Sequence, residues 1–252
     1  MRSSRVYCDK PLQVDKTLSL GADASHYLSN VLRLRAGDEL TLFNGRDGEF
    51  DAEVLSSKKN ELVIRLVQQS KLQQPAPLSI HLGLGLSRGD RMDYAIQKSV
   101  ELGVSQLTPL TTLRGEVKLK ADRVEKKLQH WRKIAISACE QSGRMDIPII
   151  LPPCGVHEWQ QNLGQGLRLI LDPSATQNFG VLISRYRSNT SSSGGLVSIN
   201  LMIGPEGGFD QQELDWAVQQ GFELAGLGPR ILRTETAPVV ALAILQHVFG
   251  EL

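Results

Sequence analysis

The chain has 252 residues, 41% of them hydrophobic, and a formal net charge of +1. That is enough apolar material for one large domain or two, without the charge excess of a disordered chain or of an obvious nucleic-acid binder. No run approaches the roughly 18 uninterrupted apolar residues of a membrane helix. The opening Met-Arg-Ser-Ser-Arg lacks the apolar core of a signal peptide, so the expectation is a cytoplasmic protein.

Charge is unevenly distributed. Residues 1–75 carry 11 Lys and Arg against 10 Asp and Glu, residues 76–150 carry 12 against 8, and residues 151–252 carry 5 against 9. The mid-chain excess includes Arg88, Arg91, Lys98, Arg114, Lys118, Lys120 and Arg144, which can neutralise phosphates if the fold gathers them on one face. The charges of residues 123–133 read better as a solvated helix surface. Cys8, Cys139 and Cys154 stand at unrelated spacings and support neither a disulfide framework nor a zinc site.

From Val6 to about Val67 the pattern is one of short strands. Leu40 to Phe43 runs into the turn signal Asn44-Gly45. Phe50, Ala52 and Val54 then alternate with Asp51 and Glu53, and Leu62, Ile64 and Leu66 repeat the alternation after the polar turn Ser56 to Asn60. The expectation is a small β-barrel with a short helix, His26 to Leu34, on its rim and with Arg33 and Arg35 at the helix exit. Such modules bind RNA or serve packing and dimerisation, and both readings stay open. The polar stretch 68–77, ending in two prolines, places the domain boundary after residue 74.

Beyond it strands and helices alternate, which predicts a largely parallel sheet. Leu78 to Leu86 reads as a buried strand running into Gly83, Gly85 and Gly89. That spacing is GxGxxxG, with no acidic residue between Gly103 and Leu113 to hold a ribose, so a dinucleotide fingerprint is a poor match. Asp90 to Leu102 reads as a helix stopped by Gly103, and Val104 to Leu110 as a strand. In residues 123–142, Val124, Leu128, Trp131, Ala135 and Ala138 recur at helical steps, which makes Trp131 a core residue. Gly143 stops this helix. Arg144 at its end either contacts RNA or caps the helix carbonyls.

Ile147 to Leu151 and Leu167 to Leu171 follow as strands, the second ending in Asp172-Pro173. His157 and Glu158 read as surface residues of a short helix, and residues 188–195 as a flexible loop. Asp210 and Glu213 form a capping-box pair opening the helix Gln211 to Gln220, closed by Gly221. Phe222 to Leu227 is the next strand, and a final helix runs from Ala237 to Phe249 with Pro238 in its first turn.

Two loops stand out. Ile203-Gly204-Pro205-Glu206-Gly207-Gly208-Phe209 follows the apolar run Val197 to Met202. Gly226-Leu227-Gly228-Pro229-Arg230-Ile231-Leu232-Arg233-Thr234-Glu235-Thr236-Ala237-Pro238 follows about twenty residues later. Each lies at the end of a strand, the edge where open α/β sheets hold ligands. Neither has the Gly-Lys-Ser/Thr ending of a phosphate-binding P-loop, so an adenosine-like ligand read by backbone groups fits better, with Asp172-Pro173 as a third wall.

These two loops, with Gln97 to Val104, Ala138 to Arg144, Arg5-Val6-Tyr7, His26-Tyr27 and Val31-Leu32-Arg33, resemble the ribosomal small subunit methyltransferase E family of the SPOUT superfamily, nearly end to end. The resemblance implies a PUA-like RNA-binding barrel over residues 1–74 and a SPOUT methyltransferase domain over residues 75–252. The latter is an α/β fold with a largely parallel sheet, helices on both faces and a trefoil knot, one of the rare exceptions to unknotted chains. It also implies a homodimer packed through the knotted domains.

The implied activity is transfer of a methyl group from S-adenosylmethionine to N3 of a specific uridine in 16S ribosomal RNA of the small subunit, without metal or membrane. Expected cofactor-binding residues are Leu171, Asp172, Gly204, Pro205, Glu206, Gly207, Gly208, Leu227, Gly228, Ile231, Leu232 and Arg233. Catalytic candidates are Arg233, Glu206 and Arg230. Either arginine could stabilise a uracil anion or hold the loop, and Glu206 and Glu235 could accept a proton or pin their own loops. RNA-binding candidates are Arg5, Arg33, Arg35, Arg88, Arg91, Lys98, Arg114 and Arg144. The alternative is a non-catalytic RNA-binding or ribosome-assembly protein. The intact stretch from Arg233 to Ala237 argues for a filled pocket instead.

Overall fold

The computed structural model describes residues 4–58, 61–190 and 196–252, and the chain divides into two units. The first comprises Met1–Pro75 together with Cys139–Ile147, and the second Ala76–Ala138 with Pro148–Leu252. The return of residues 139–147 to the first unit is invisible to a reading that takes the chain in order.

In the first unit five strands, β1 (Ser4–Tyr7), β2 (Thr17–Leu20), β3 (Glu39–Phe43), β4 (Glu49–Lys58) and β5 (Glu61–Lys71), form one sheet in the order β1-β3-β4-β5-β2. Only β1–β3 is parallel. Val6 from one end of this order and Leu18 and Leu20 from the other join Leu40, Leu42, Phe50, Ala52, Val54, Leu62, Ile64 and Leu66 in a single buried cluster. The sheet therefore wraps around its own apolar face, helped by register shifts in the β4–β5 ladder.

Three expectations need correction here. The rim helix starts earlier, as α1 (Ala22–His26) continuing into a π-helical turn Tyr27–Val31. The Ser25 hydroxyl donates to the Leu20 carbonyl and accepts from the Leu62 amide, which ties this turn to two strands. Strand β5 also runs on through Gln68 to Lys71, paired with Asp51, Phe50 and Glu49. Its exposed end carries no apolar alternation, so it reads as linker in the sequence. Ser56 to Lys58 are strand rather than turn; Lys59 and Asn60 lie outside the described residues.

In the second unit a seven-stranded sheet forms from β6 (Leu78–Gly85), β7 (Gln106–Thr111), β8 (Ile149–Ile150), β9 (Cys154–Gly155), β10 (Leu167–Leu171), β11 (Val197–Ile203) and β12 (Glu223–Ala225). Its order is β12-β10-β11-β6-β7-β8, with β9 also on β7, and every pair is parallel. Parallel sheets need cover on both faces. It comes from α2 (Gly89–Glu101), α3 (Ala121–Ser142), α4 (Val156–Gln161), α5 (Phe179–Thr190), α6 (Gln211–Gln219) and α7 (Ala237–Phe249).

Helix α5 escaped the sequence reading. Phe179, Leu182 and Ile183 are buried, but Val181 is exposed and Gly180 sits in the first turn, so the apolar stripe is short and blurred. Ser188 to Thr190 belong to this helix, and residues 191–195 lie outside the described residues. Trp131 is buried as expected, and Gly103, Gly143 and Gly221 follow their helices with φ near +80°.

Gly83 faces the Leu110 and Trp159 side chains, 2.8 Å from where its Cβ would lie. Packing, not phosphate, explains this glycine. Beside it His81 holds a polar contact in the core. Its Nε2 accepts from the Trp159 indole at 3.0 Å, so that nitrogen carries no proton, and the buried Thr108 hydroxyl lies 2.8 Å away.

Burial pushes the His81 pKa down to about 4. Because the folded value lies below the unfolded one of about 6.5, stability from the neutral ring is complete above pH 6.5 and is lost as pH falls toward 4. We expect the urea midpoint to drop between pH 7 and pH 4.5, and His81→Gln to flatten that dependence. An unchanged slope in the variant would remove His81 from the acid response.

Candidate active site at the carboxyl edge of the second sheet

The carboxyl ends of β10, β11 and β12 open onto one cavity of about 400 Å³, within the size range of small-molecule sites. Three loops wall it: the Asp172-Pro173 turn after β10, residues 204–209 between β11 and α6, and residues 227–237 between β12 and α7. The floor is apolar, with Leu171, Ile203, Phe209 and Ala225 all buried.

Each wall is fixed by local bonding. The Gly208 amide donates to the Pro205 carbonyl at 2.9 Å. Asp210 and Glu213 complete the capping box of α6, and the second oxygen of buried Glu213 accepts from the Leu113 amide at 2.9 Å. The side chain of Arg114 donates to Asp210 at 3.2 Å. The Gly226 amide donates to Gln177 and its carbonyl accepts from Phe179. Asp172 Oδ1 accepts from the Ser174 amide and hydroxyl and so holds its own turn.

Of the expected cofactor residues, Leu171, Asp172, Gly204, Pro205, Glu206, Gly208, Leu227, Gly228, Ile231, Leu232 and Arg233 line the cavity, as does Arg230. Gly207 does not. A Cβ there would lie 2.7 Å from the Arg114 carbonyl oxygen, so this glycine lets two loops approach each other rather than facing a ligand. Gly228 has φ +110° and open space where a Cβ would stand, a backbone state that L side chains rarely adopt.

Pro173, Thr234 and Glu235, read from the sequence as parts of these loops but not among the expected cofactor residues, also line the cavity, and Gly85 acts from beneath. On β6 its missing Cβ would stand 2.5 Å from Pro205 Cδ and 2.6 Å from the Gly204 carbonyl carbon. A glycine in a strand signals a close backbone approach, but the sequence does not say to what.

The charged candidates separate into groups. Arg233 is 79% exposed, with Glu235 Oε1 at 3.9 Å, and Arg230 is exposed. Glu206 accepts from Arg91 at 3.0 Å, and Arg91 itself lines the cavity. Arg88 pairs with Glu116 and Lys98 with Glu101, both on the surface. Arg33, with φ +58°, and Arg35 are exposed.

Arg5 and Arg144 are interior instead. Arg5 pairs with the buried Glu49, donates to the Cys139 and Arg144 carbonyls and lies 3.7 Å over the Phe43 ring. Arg144, 11% exposed, pairs with Asp146. The buried Glu49 requires a countercharge, which makes Arg5 a structural residue of the first unit rather than a surface cation for RNA.

Comparison with known proteins agrees with this layout. Residues 74–246 match the profile of an RNA methyltransferase domain and residues 20–67 that of an RNA methyltransferase PUA domain. The chain is 36% identical over 252 residues to ribosomal RNA small subunit methyltransferase E of Buchnera aphidicola subsp. Schizaphis graminum, covering 100% of this chain and 98% of the relative. It is 31% identical to the protein of that name from Bacillus subtilis, covering 92% and 90%.

Among solved structures, a methyltransferase from Legionella pneumophila in complex with its cofactor S-adenosylmethionine superposes with a TM-score of 0.90 at 37% identity, over 100% of both chains. A ribosomal RNA small subunit methyltransferase E from Neisseria gonorrhoeae bound to S-adenosylmethionine gives 0.87 at 35%, over 99% of both. Sequence and fold correspond over both units, and the chain belongs to the ribosomal RNA small subunit methyltransferase E family.

Proposed function

We propose that this protein transfers a methyl group from S-adenosylmethionine to N3 of a uridine in small-subunit ribosomal RNA. The cavity at the carboxyl ends of β10, β11 and β12 carries the reading. Its residues fit an adenosyl ligand: an apolar floor for a flat base, and glycine-bearing walls at Gly204, Gly208 and Gly228 where backbone groups come close.

When bound, the cofactor supplies an electrophilic methyl group on a sulfonium. The protein's own part is placement and charge. Three braced loops would hold a methyl donor beside an incoming base, and such positioning can supply much of the rate. The base must first be turned out of its stack. Arg233 and Arg230, exposed on the cavity rim, would stabilise the uracil anion left when N3 gives up its proton. Among the described residues no cluster of His, Cys, Asp or Glu is arranged to hold a metal ion, and no helix is long and apolar enough to cross a membrane.

A trefoil knot in the C-terminal region, a homodimer and a cytoplasmic site of action belong to the same reading. Calorimetric titration with S-adenosylhomocysteine, followed by nucleoside analysis of methylated RNA, tests the proposal. No binding, or methylation at a position other than uridine N3, would sink it.

RNA binding is assigned to the first unit through Arg33 and Arg35. Reversing both to Glu should weaken RNA binding and flatten its salt dependence by about one unit of slope per lost phosphate contact, leaving S-adenosylhomocysteine affinity unchanged. Wild-type RNA affinity in this variant would assign the unit to packing.

A further inference from the structure

Of the three carboxylates on the cavity wall, Asp172 accepts from Ser174 and only Glu235 lacks a hydrogen-bond partner among the described residues. Glu206 accepts from Arg91 at 3.0 Å. Glu235 is 15% exposed, and the Arg233 Nη1 beside its Oε1 stands at 3.9 Å, beyond hydrogen-bond range and on a side chain whose charge solvent screens. Its Oε2 is fully buried and has no hydrogen-bond partner among the described residues. A buried acceptor left without a donor is costly, and a carboxylate oxygen especially so. Native proteins retain such groups for a reason.

The neighbouring backbone does not supply the missing donor. The amides of Thr236 and Ala237 both donate to the Arg233 carbonyl, at 2.8 and 3.0 Å, and Pro238 has no amide hydrogen. The first turn of α7 thus offers Glu235 nothing at these three positions. It also offers little to an anion, despite the favourable helix end. The unused acceptor thus belongs to a residue of the cavity wall, and a rotation of its carboxylate would bring it to a ligand.

We infer that Glu235 Oε2 is held for a hydrogen-bond donor on the bound S-adenosyl ligand, either a ribose hydroxyl or the α-ammonium group, and is a specificity-determining residue of the cofactor site. The inference rests on the S-adenosyl reading of the cavity. The three carboxylates then differ in role, since Asp172 holds its own turn and Glu206 restrains Arg91 at the cavity wall, whereas Glu235 reads the ligand while destabilising the empty protein.

The test uses full-length protein carrying Glu235→Leu or Glu235→Gln, with thermal melting of the ligand-free state and calorimetric titration of two probes. One is S-adenosylhomocysteine. The other is 5′-methylthioadenosine, which keeps the ribose and adenine but lacks the ammonium group.

Glu235→Leu removes the unpaired acceptor, so the ligand-free melting temperature should rise by a few degrees. Affinity for S-adenosylhomocysteine should fall roughly 10- to 100-fold, the range for a hydrogen bond to a charged group. Glu235→Gln should fall between. An equal loss with both probes places the donor on the nucleoside; a loss confined to S-adenosylhomocysteine places it on the ammonium group.

Wild-type affinities in both variants would overturn the inference. So would normal binding with abolished methyl transfer, which would make Glu235 a proton acceptor. If the wild-type protein binds neither probe, the failure lies with the S-adenosyl reading itself, a result distinct from either of these.

Discussion

Gly85→Ala should abolish binding of S-adenosylhomocysteine and lower the melting temperature of the protein. The added methyl group would meet Pro205 Cδ at 2.5 Å and the Gly204 carbonyl carbon at 2.6 Å. Most of that obstacle is backbone, so no rotamer change relieves it. Gly85 also pairs with Leu110 of β7, and its neighbour Leu84 with Ile203 of β11, so the strand cannot retreat without breaking a buried ladder.

Either the Gly204–Pro205 turn moves into the cavity or the sheet opens. Overpacking of this kind costs about 1–3 kcal/mol, and the displaced turn is a wall of the ligand site. Gly228→Ala makes the contrast. Its Cβ meets nothing within 4 Å, so the penalty is backbone strain of about 1–3 kcal/mol at φ +110°, with the β11 turn left in place. Melting curves and titrations on both variants check this. Normal affinity in Gly85→Ala would show that the 204–208 turn is positioned by other contacts.

Arg233→Ala should slow methyl transfer far more than it weakens cofactor binding, by roughly ten- to a thousandfold if the guanidinium supplies one charge-assisted interaction to the transition state. The geometry leaves this side chain available. It is 79% exposed, it lines the cavity, and the carboxylate of Glu235 at 3.9 Å does not hold it. Arg233→Lys keeps the charge but loses the planar fork, so only part of the rate should return.

The measurement is single-turnover methylation at saturating cofactor across a range of pH. If Arg233→Ala keeps the wild-type rate at every pH, the activating group lies elsewhere, with Arg230 the next candidate. Arg5 is not one, because its donors are taken by Glu49 and by the carbonyls of Cys139 and Arg144.

The alternating α/β order, the parallel sheet and the two glycine-rich loops were legible in the sequence because each rests on local rules. Apolar period, glycine stops and the Asp210–Glu213 capping box act within a few residues. Elements whose signals were weak escaped or shifted. Helix α5 has a short apolar stripe, the end of β5 is polar on its exposed face, and α1 starts at Ala22 because Ser25 bonds to β2 and β5.

Composition, periodicity and motif order by themselves determined the class of fold and the two glycine-rich loops that wall the cavity. Which atoms face one another was decided only by tertiary structure. Gly207 turns toward Arg114, Gly85 makes room for Pro205, and Arg5 is drawn inside to neutralise Glu49. Arg91 reaches Glu206 across 115 positions of sequence, while one oxygen of Glu235 stays unpaired beside the cavity. The reason is physical: propensity and pattern act over a few neighbours, whereas steric contact and charge pairing depend on distance in space, which becomes defined only when remote strands come into register.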